Sequence, residues 1–488
     1  MAFSNPVATP DSGVTYVDAL LWGSHWQDPG AGTRLAVWVA GAAGVDETFD
    51  FGGTTVTANN APEENDAFLA ALQAIQNVCG LSFLAASSQS DADLILGTVS
   101  DIDAGGNLGI AVPPGEDVGP VGQQQGAAII NYEIYGTDDF SSLKPGGYDF
   151  ITYIHEIGHA LGLKHPHNAF NGNGTFPGVQ NGAGFGDLGD FDLNQGLYTM
   201  MSYNDGWQTR PGGPLLDTGV VTYGYEATPM AFDIAALQYL YGVNTTYQTG
   251  NDTYTLARVN ASGSFYACLW DAGGNDIIRN ASSLASTIDL RAATLTHSAG
   301  GGGYLSSVAG IDGGFTIAFG AVIENASGGS GVDQITGNAV ANRLMGNAGD
   351  DVIKAGSGND TVIGGAGADM ITGAAGKDVL TGGTSGDVFV FTKLNDSFPQ
   401  IDLITDFVTG LDKIRLTAID AIAGTALNDA FGFIGTAQFG AAAGKLRFQQ
   451  DLAANITVIE AEVNGNGVAD FVLHLTGLHS LSAADFFR

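Results

Sequence analysis

The chain has 488 residues, 44% of them hydrophobic and 14% charged, enough for two or three domains that each bury a core. A formal net charge of −35 argues against nucleic acid and anionic membrane surfaces as partners, because phosphate groups would be repelled, and makes calcium the natural counter-charge. No run of about 18 apolar residues occurs, so no membrane span is expected; the opening MAFSNPVATPDSG lacks a basic n-region and an apolar h-region, so no Sec-type signal peptide is expected either.

Residues 1–13 are polar and broken by proline, and are expected to form a flexible arm or a propeptide remnant. Thr15–Leu21 and Arg34–Ala40 carry β-branched and aromatic residues at strand spacing. After the acidic EEND, Phe68, Leu69, Leu72 and Ile75 recur at helical spacing and predict a helix over Ala61–Val78 packed on a sheet. Leu81–Leu84, Leu94–Val99, Leu108–Val112 and Ala127–Tyr132 read as further strands. His25, between Trp22 and Trp26, reads as an ordinary surface or half-buried histidine. Cys79 and Cys268 have no second cysteine or histidine nearby and read as buried thiols.

Following the Pro145-Gly146-Gly147 turn, a helix starting near Tyr148 or Phe150 carries Ile154–His165, IHEIGHALGLKH. His155 and His159 stack on one helix face, where two neutral imidazoles suit zinc. Gly162 permits a left-handed backbone that ends the helix and returns the chain to deliver His165 as third ligand, leaving a fourth position for water. Zinc lowers the pKa of such a water from about 16 to about 7. Glu156 is placed to take its proton as general base and to pass it to the leaving amine, while the ion polarises the scissile carbonyl. The implied reaction is peptide-bond hydrolysis. His167, in the unusual HPH, reads as solvent-facing rather than as an outer-sphere group of the metal site. The Gly- and Asn-rich stretch between His165 and Met201 is expected to border the cleft. Thr228–Tyr241, with a Thr cap, is expected to be a helix closing the first domain.

HEIGHALGLKHPH followed by TMMSYN resembles the serralysin family of secreted bacterial zinc endopeptidases, within the metzincin clan. The resemblance implies that Met201 supports the ligand histidines from below. It also implies that Tyr203 is a switchable extra ligand that stabilises the tetrahedral intermediate. In the segment Trp270–Asp276, WDAGGND, it implies calcium ligands at Asp271, Gly273 and Asp276.

From Gly328 to Val390 the sequence repeats with period nine, the RTX pattern: GGSGVDQIT, GNAVANRLM, GNAGDDVIK, AGSGNDTVI, GGAGADMIT, GAAGKDVLT, GGTSGDVFV. Six residues of each unit predict a glycine-permitted turn with oxygens facing a cation, and the last three predict a short strand. The eighth position is always apolar, as one inward side chain per strand requires. Two units make one coil, so Asp333, Asp351, Asp369 and Asp387 form one column of calcium ligands. Asp360 and Asp378 continue the other, which starts with Asn342, and sites around Asn342 are expected to be weak. Without calcium the acids would repel, so calcium binding and folding are expected to be one equilibrium. Beyond the roll, DLITDFVTGLDKIRL resembles the family's capping segment and implies a role for Asp412 at a terminal calcium site. The ending SAADFFR partly matches the family's C-terminal secretion signal, from which Arg488 departs; an uncleaved C-terminal signal would account for the missing N-terminal one.

The expected architecture is an α+β metzincin-type zinc protease domain over residues 14–245, followed over 246–488 by an all-β parallel β-roll with a C-terminal cap and secretion signal. The expected function is secreted, calcium-stabilised zinc endopeptidase activity on proteins or peptides by a monomer without a membrane span. Type I secretion apparatus and a small protein inhibitor are the further partners considered. The alternative is a calcium-dependent extracellular surface or adhesion protein with a non-catalytic zincin domain; the intact Glu156 speaks against it.

Overall fold

A computed structural model describes residues 5–27, 33–42, 46–51, 54–58, 60–100, 104–115, 125–131, 140–424 and 428–488. Strand β1 (Asn5–Ala8) pairs antiparallel with β2 (Ser24–Gln27), and the Tyr239 hydroxyl donates to the Pro10 and Asp11 carbonyls. The expected free arm is thus tied down from residue 5 onward, because backbone groups that composition cannot see find partners. Thr15–Leu21 is not a strand: Thr15–Asp18 is a helical turn whose Tyr16 and Val17, with Leu20 and Leu21 beyond, are buried. Apolar residues at i, i+1, i+4 and i+5 line one helical face, which outweighs their β propensity.

A five-stranded sheet is built from β3 (Thr33–Val39), β6 (Leu81–Ala85), β7 (Leu94–Val99), β8 (Gly109–Ala111) and β9 (Ala127–Asn131), in the order β6-β3-β7-β9-β8. The strands β4 (Glu47–Phe51) and β5 (Thr54–Ala58) form a separate hairpin. Residues of β7 and β9 are buried throughout, as parallel strands covered on both faces should be. Only β8 runs antiparallel, at the sheet edge; Tyr132 lies outside the described residues. One face of the sheet is covered by the helix Pro62–Val78, which buries Ala67, Phe68, Ala71, Leu72, Ile75 and Val78, whereas Leu69 points to solvent. Against it packs the helix Tyr148–Ala160, which also touches β8 and β9.

The helix Ala231–Tyr241 follows. Thr228 is not its cap, since its hydroxyl accepts Cys268 N at 3.1 Å; Asp233 accepts Met230 N at 2.9 Å instead. Cys79 and Cys268 are free and buried.

The rest of the chain is β, with sheets of eleven and ten strands among the described residues. Through the repeats, pairing is parallel with a register of eighteen: Gln334 faces Val352, Val352 faces Met370, and Met370 faces Val388, while Arg343 faces Thr361 and Thr361 faces Val379 on the other side. Ile335, Leu344, Ile353, Val362, Ile371, Leu380 and Phe389, the eighth residues, are all buried. The middle strands are six residues long rather than three, for example Val352–Ser357, because the first residues of the next unit continue the ladder. The tail is folded: Phe486–Phe487 pairs with Ile414–Arg415. Residues 224–227 are knitted to Ser264–Tyr266 by Gly224 N to Ser264 O (2.8 Å), Tyr266 N to Tyr225 O (2.9 Å) and Ala227 N to Tyr266 O (2.9 Å). Arg210 forks onto Asp312 at 2.7 and 3.0 Å. Among the described residues no helix is long and apolar enough to cross a membrane.

Candidate functional site

The helix Tyr148–Ala160 ends where Gly162 adopts φ +97°, and a Cβ there would lie 2.4 Å from the Ser24 carbonyl oxygen. Positive φ and close approach both demand glycine. Leu163 N then donates to Gly158 O at 3.0 Å, and the reversed chain brings His165 back over the helix. Nε2 of His165 lies 3.0 Å from Nε2 of His155 and 2.9 Å from Nε2 of His159. Nδ1 of His155 donates to Met200 O at 2.8 Å and Nδ1 of His159 to Leu163 O at 2.9 Å, which leaves both Nε2 lone pairs pointing inward. The Asn168 amide lies 3.2 Å from Nδ1 of His165, where its oxygen accepts in the same way once the amide is turned. A proton among the three nitrogens could join only one pair, so the arrangement fits a cation. Burial lowers His155 to about 3 and His159 to about 4, and lowers His165 further with help from its neighbours, so all three are neutral at pH 7. Neutral imidazole is the ligand form, and three of them suit zinc.

Glu156 is buried beneath the edge of the sheet, and burial pushes its carboxyl up to about 8. A Cβ on Gly109 of β8 would come within 2.6 Å of its Cγ and 2.8 Å of Oε1, so only glycine lets this strand pass over the carboxylate. Two cavities, about 290 and about 490 Å³, share Asn107, Gly109, Glu156 and Tyr203 and extend to either side. As an edge strand, β8 offers backbone groups to an extended peptide lying in this cleft.

Met201 is fully buried, and a Cβ on Gly158 would approach its sulfur to 2.8 Å, so this glycine lets the methionine nestle against the histidine helix. Motif spacing gave no hint of Asp233, which orders this turn: its carboxylate accepts Met200 N (2.7 Å), Thr199 Oγ1 (2.7 Å) and Met230 N (2.9 Å). Burial pushes it up to about 7 against those bonds. The ring of Tyr203 stands 4.5 Å from that of His165, and burial, with the charge of Glu156, raises its hydroxyl. His167 does not face solvent. Its ring stacks on His165 at 4.9 Å with 8° between planes and its Nδ1 is buried without a partner, because the HPH turn folds both histidines to the same side.

Along the roll each repeat aspartate both donates and accepts. Asp351, Asp369, Asp387 and Asp412 accept from the backbone N–H of Asp333, Asp351, Asp369 and Asp387 at 2.8, 2.9, 2.9 and 3.0 Å. On the other side Asp360, Asp378 and Asp402 accept from Asn342, Asp360 and Asp378 at 2.8, 2.9 and 2.8 Å. The second oxygens of Asp351, Asp360, Asp369, Asp378, Asp387 and Asp402 are buried with no partner, a state that fits a cation-facing ligand. Asp333 differs, because Gly329 N at 2.6 Å engages its second oxygen, and so does Asp412, whose second oxygen takes Val408 N at 2.7 Å. The Asn342 amide donates to Glu324 O and to Asn338 Oδ1, filling the place where an acid would open a site. Near the junction Asp252, Asp271 and Asp276 converge, and Gly273 contributes its N–H to Asp271 at 2.9 Å. Sequence reading missed Asp252 and Asp402, which lie outside the repeats. It also missed the loop EVNGNGVAD: Glu462, Asn464, Asn466 and Asp470 have the first, third, fifth and ninth positions of an EF-hand-type loop, and one oxygen of Glu462 is buried without a partner.

Residues 231–487, more than half of the chain, match the family model described as Peptidase M10 serralysin C terminal. The chain is 38% identical over 379 residues to Serralysin C of Dickeya chrysanthemi, covering 75% of this chain and 67% of that one. It is 33% identical over 437 residues to Metallopeptidase AprA of Pseudomonas marginalis, covering 87% and 80%. A further relative is Metalloprotease AprA of Pseudomonas entomophila, 32% identical over 421 residues, covering 83% and 76%. With the histidine cluster and the repeat ladder described above, these likenesses make the chain a metalloendopeptidase that belongs to the serralysin family.

Proposed function

We propose that the chain is a secreted zinc endopeptidase in which His155, His159 and His165 hold the ion, and that calcium folds its C-terminal roll. The observation that carries this reading is the convergence of three Nε2 lone pairs, that of His165 lying 3.0 Å from His155 and 2.9 Å from His159 and all three within 4.8 Å of one another. Zinc bound there would supply Lewis acidity to a water and to the scissile carbonyl. An extended substrate adds to β8, whose Gly109 sets the scissile bond over Glu156. The Glu156 carboxylate takes a proton from the attacking water; its raised affinity for that proton suits it to hold the proton and then give it to the departing amine. Tyr203, beside His165, donates its hydroxyl hydrogen to the oxyanion as the carbonyl carbon becomes tetrahedral. Met201 supports the histidines from below, and Gly162 delivers His165.

Calcium is proposed at Asp252, Asp271 and Asp276, with Gly273 ordering Asp271, and along the columns Asp333, Asp351, Asp369 and Asp387, ending on Asp412, and Asp360 and Asp378, ending on Asp402. The buried second oxygens of eight of these acids, Asp252 and Asp276 among them, support the reading. The substrates are proteins or peptides, and the route outward is type I export.

Glu156→Ala tests the mechanism. The variant should hold one zinc per chain by metal analysis while casein cleavage falls by at least about a thousandfold. Cleavage at the wild-type rate would remove Glu156 from the mechanism.

A further inference from the structure

The smaller of the two cavities in the cleft is lined by Leu108, Tyr148, Ile151, Thr152, Phe185 and Asp205, among others. Among the described residues that line it there is no lysine or arginine, and Glu156 and Asp205 are the only carboxylic acids. Asp205 lines this cavity together with Tyr148 and Tyr203. Among the described residues no hydrogen bond or ion pair to a lysine or arginine side chain is made by the Asp205 carboxylate. Arg210, the nearest in sequence, is committed to Asp312 through two hydrogen bonds of 2.7 and 3.0 Å. Glu226, whose carboxylate holds Gly206 N at 3.0 and 3.1 Å, adds a second acid behind the wall. The result is a cavity of about 290 Å³ with apolar and aromatic sides and, set among them, a carboxylate that no lysine or arginine of the lining pairs with.

Building on the proposed proteolysis, we infer that Asp205 is a specificity-determining residue that selects a cationic side chain, lysine or arginine, at the position beside the scissile bond. The stem of such a side chain lies against Ile151 and Leu108, and its charged end meets the carboxylate. A carboxylate in the substrate would find no cation among the described residues of this cavity to pair with.

The test uses the full chain loaded with zinc and calcium and a set of quenched peptides. The peptides differ only in the residue on each side of one scissile bond, with arginine, lysine, leucine or glutamate there, and the cut is located by mass spectrometry. The expected result is a kcat/KM for the arginine and lysine peptides about tenfold above leucine, with glutamate lowest. Asp205→Asn should level the arginine-to-leucine ratio, Asp205→Glu should restore it, and Asp205→Lys should turn the preference towards glutamate. A wild-type profile with no preference for basic residues on either side of the bond would overturn the inference without any variant, and so would a preference that survives Asp205→Asn. Cleavage of the leucine peptide that zinc chelation stops, with no basic preference, sinks Asp205 alone; no cleavage of any peptide sinks the proposed proteolysis itself.

Discussion

Asp233 is the far end of a short chain that leads to the proposed metal centre. Its carboxylate fixes Met200 N, and the carbonyl of the same Met200 holds Nδ1 of His155. Asp233→Ala strips partners from three buried donors, Met200 N, Met230 N and the Thr199 hydroxyl. Each unpaired donor costs about 1–3 kcal/mol, and relief of carboxylate burial offsets part of the sum, so a net loss of about 3 kcal/mol is expected. Because the orienting partner of a zinc-ligating histidine is loosened, zinc affinity should also fall about 10–100-fold. Asp233→Asn keeps an oxygen for the two backbone donors and should lose about 1 kcal/mol and under tenfold in affinity. Urea titration at saturating calcium reads the first quantity, and competition with a fluorescent zinc chelator reads the second. An alanine variant that is less stable yet binds zinc as tightly as the parent would break the link from Asp233 through Met200 to His155.

Gly162→Ala places a side chain at φ +97° and 2.4 Å from the Ser24 carbonyl, so it should cost about 3 kcal/mol or more and misplace His165. An unchanged melting midpoint with full zinc occupancy would contradict that. In the calcium-free roll, burial raises Asp351 and Asp387 to about 7, Asp402 to about 8, and Asp360 and Asp378 to about 6. These folded-state values lie above the unfolded value of about 3.9, so their contribution is fully present below that pH and is lost as pH rises through 6 to 8. Chelated protein should therefore show roll-like circular dichroism in acid and lose it towards neutral pH, where added calcium restores it. A calcium-free signal that grows as pH rises would refute the sign.

The histidine cluster was legible because its geometry is local: helix periodicity, a turn glycine and a three-residue return need no tertiary knowledge. The inward residue of each repeat was legible for the same reason, as strict phase fixes which side chain faces in. Asp233, Gly109 and the burial of His167 were not. Each acts across the fold, on residues 33, 47 and 36 positions away in Met200, Glu156 and Tyr203, and no spacing rule reaches that far. Asp402 and Asp252 escaped because they end the columns from outside the repeat phase. At Thr15–Leu21 strand-like composition lost to burial, since the fold offered a helical face for Tyr16 to stack on Phe232 at 4.6 Å.

Arg210 and residues 224–227 follow Asp205 of the pocket wall in the chain, yet their partners, Asp312 and Ser264–Tyr266, belong to the C-terminal half, for which folding by calcium is proposed. The wall is thus buttressed from the neighbouring module. If calcium folds the roll as proposed, a chain in a calcium-poor compartment would have its histidines in order but this wall slack. Arrival in a calcium-rich medium would then act as an interlock that withholds destructive activity from the cell that makes it.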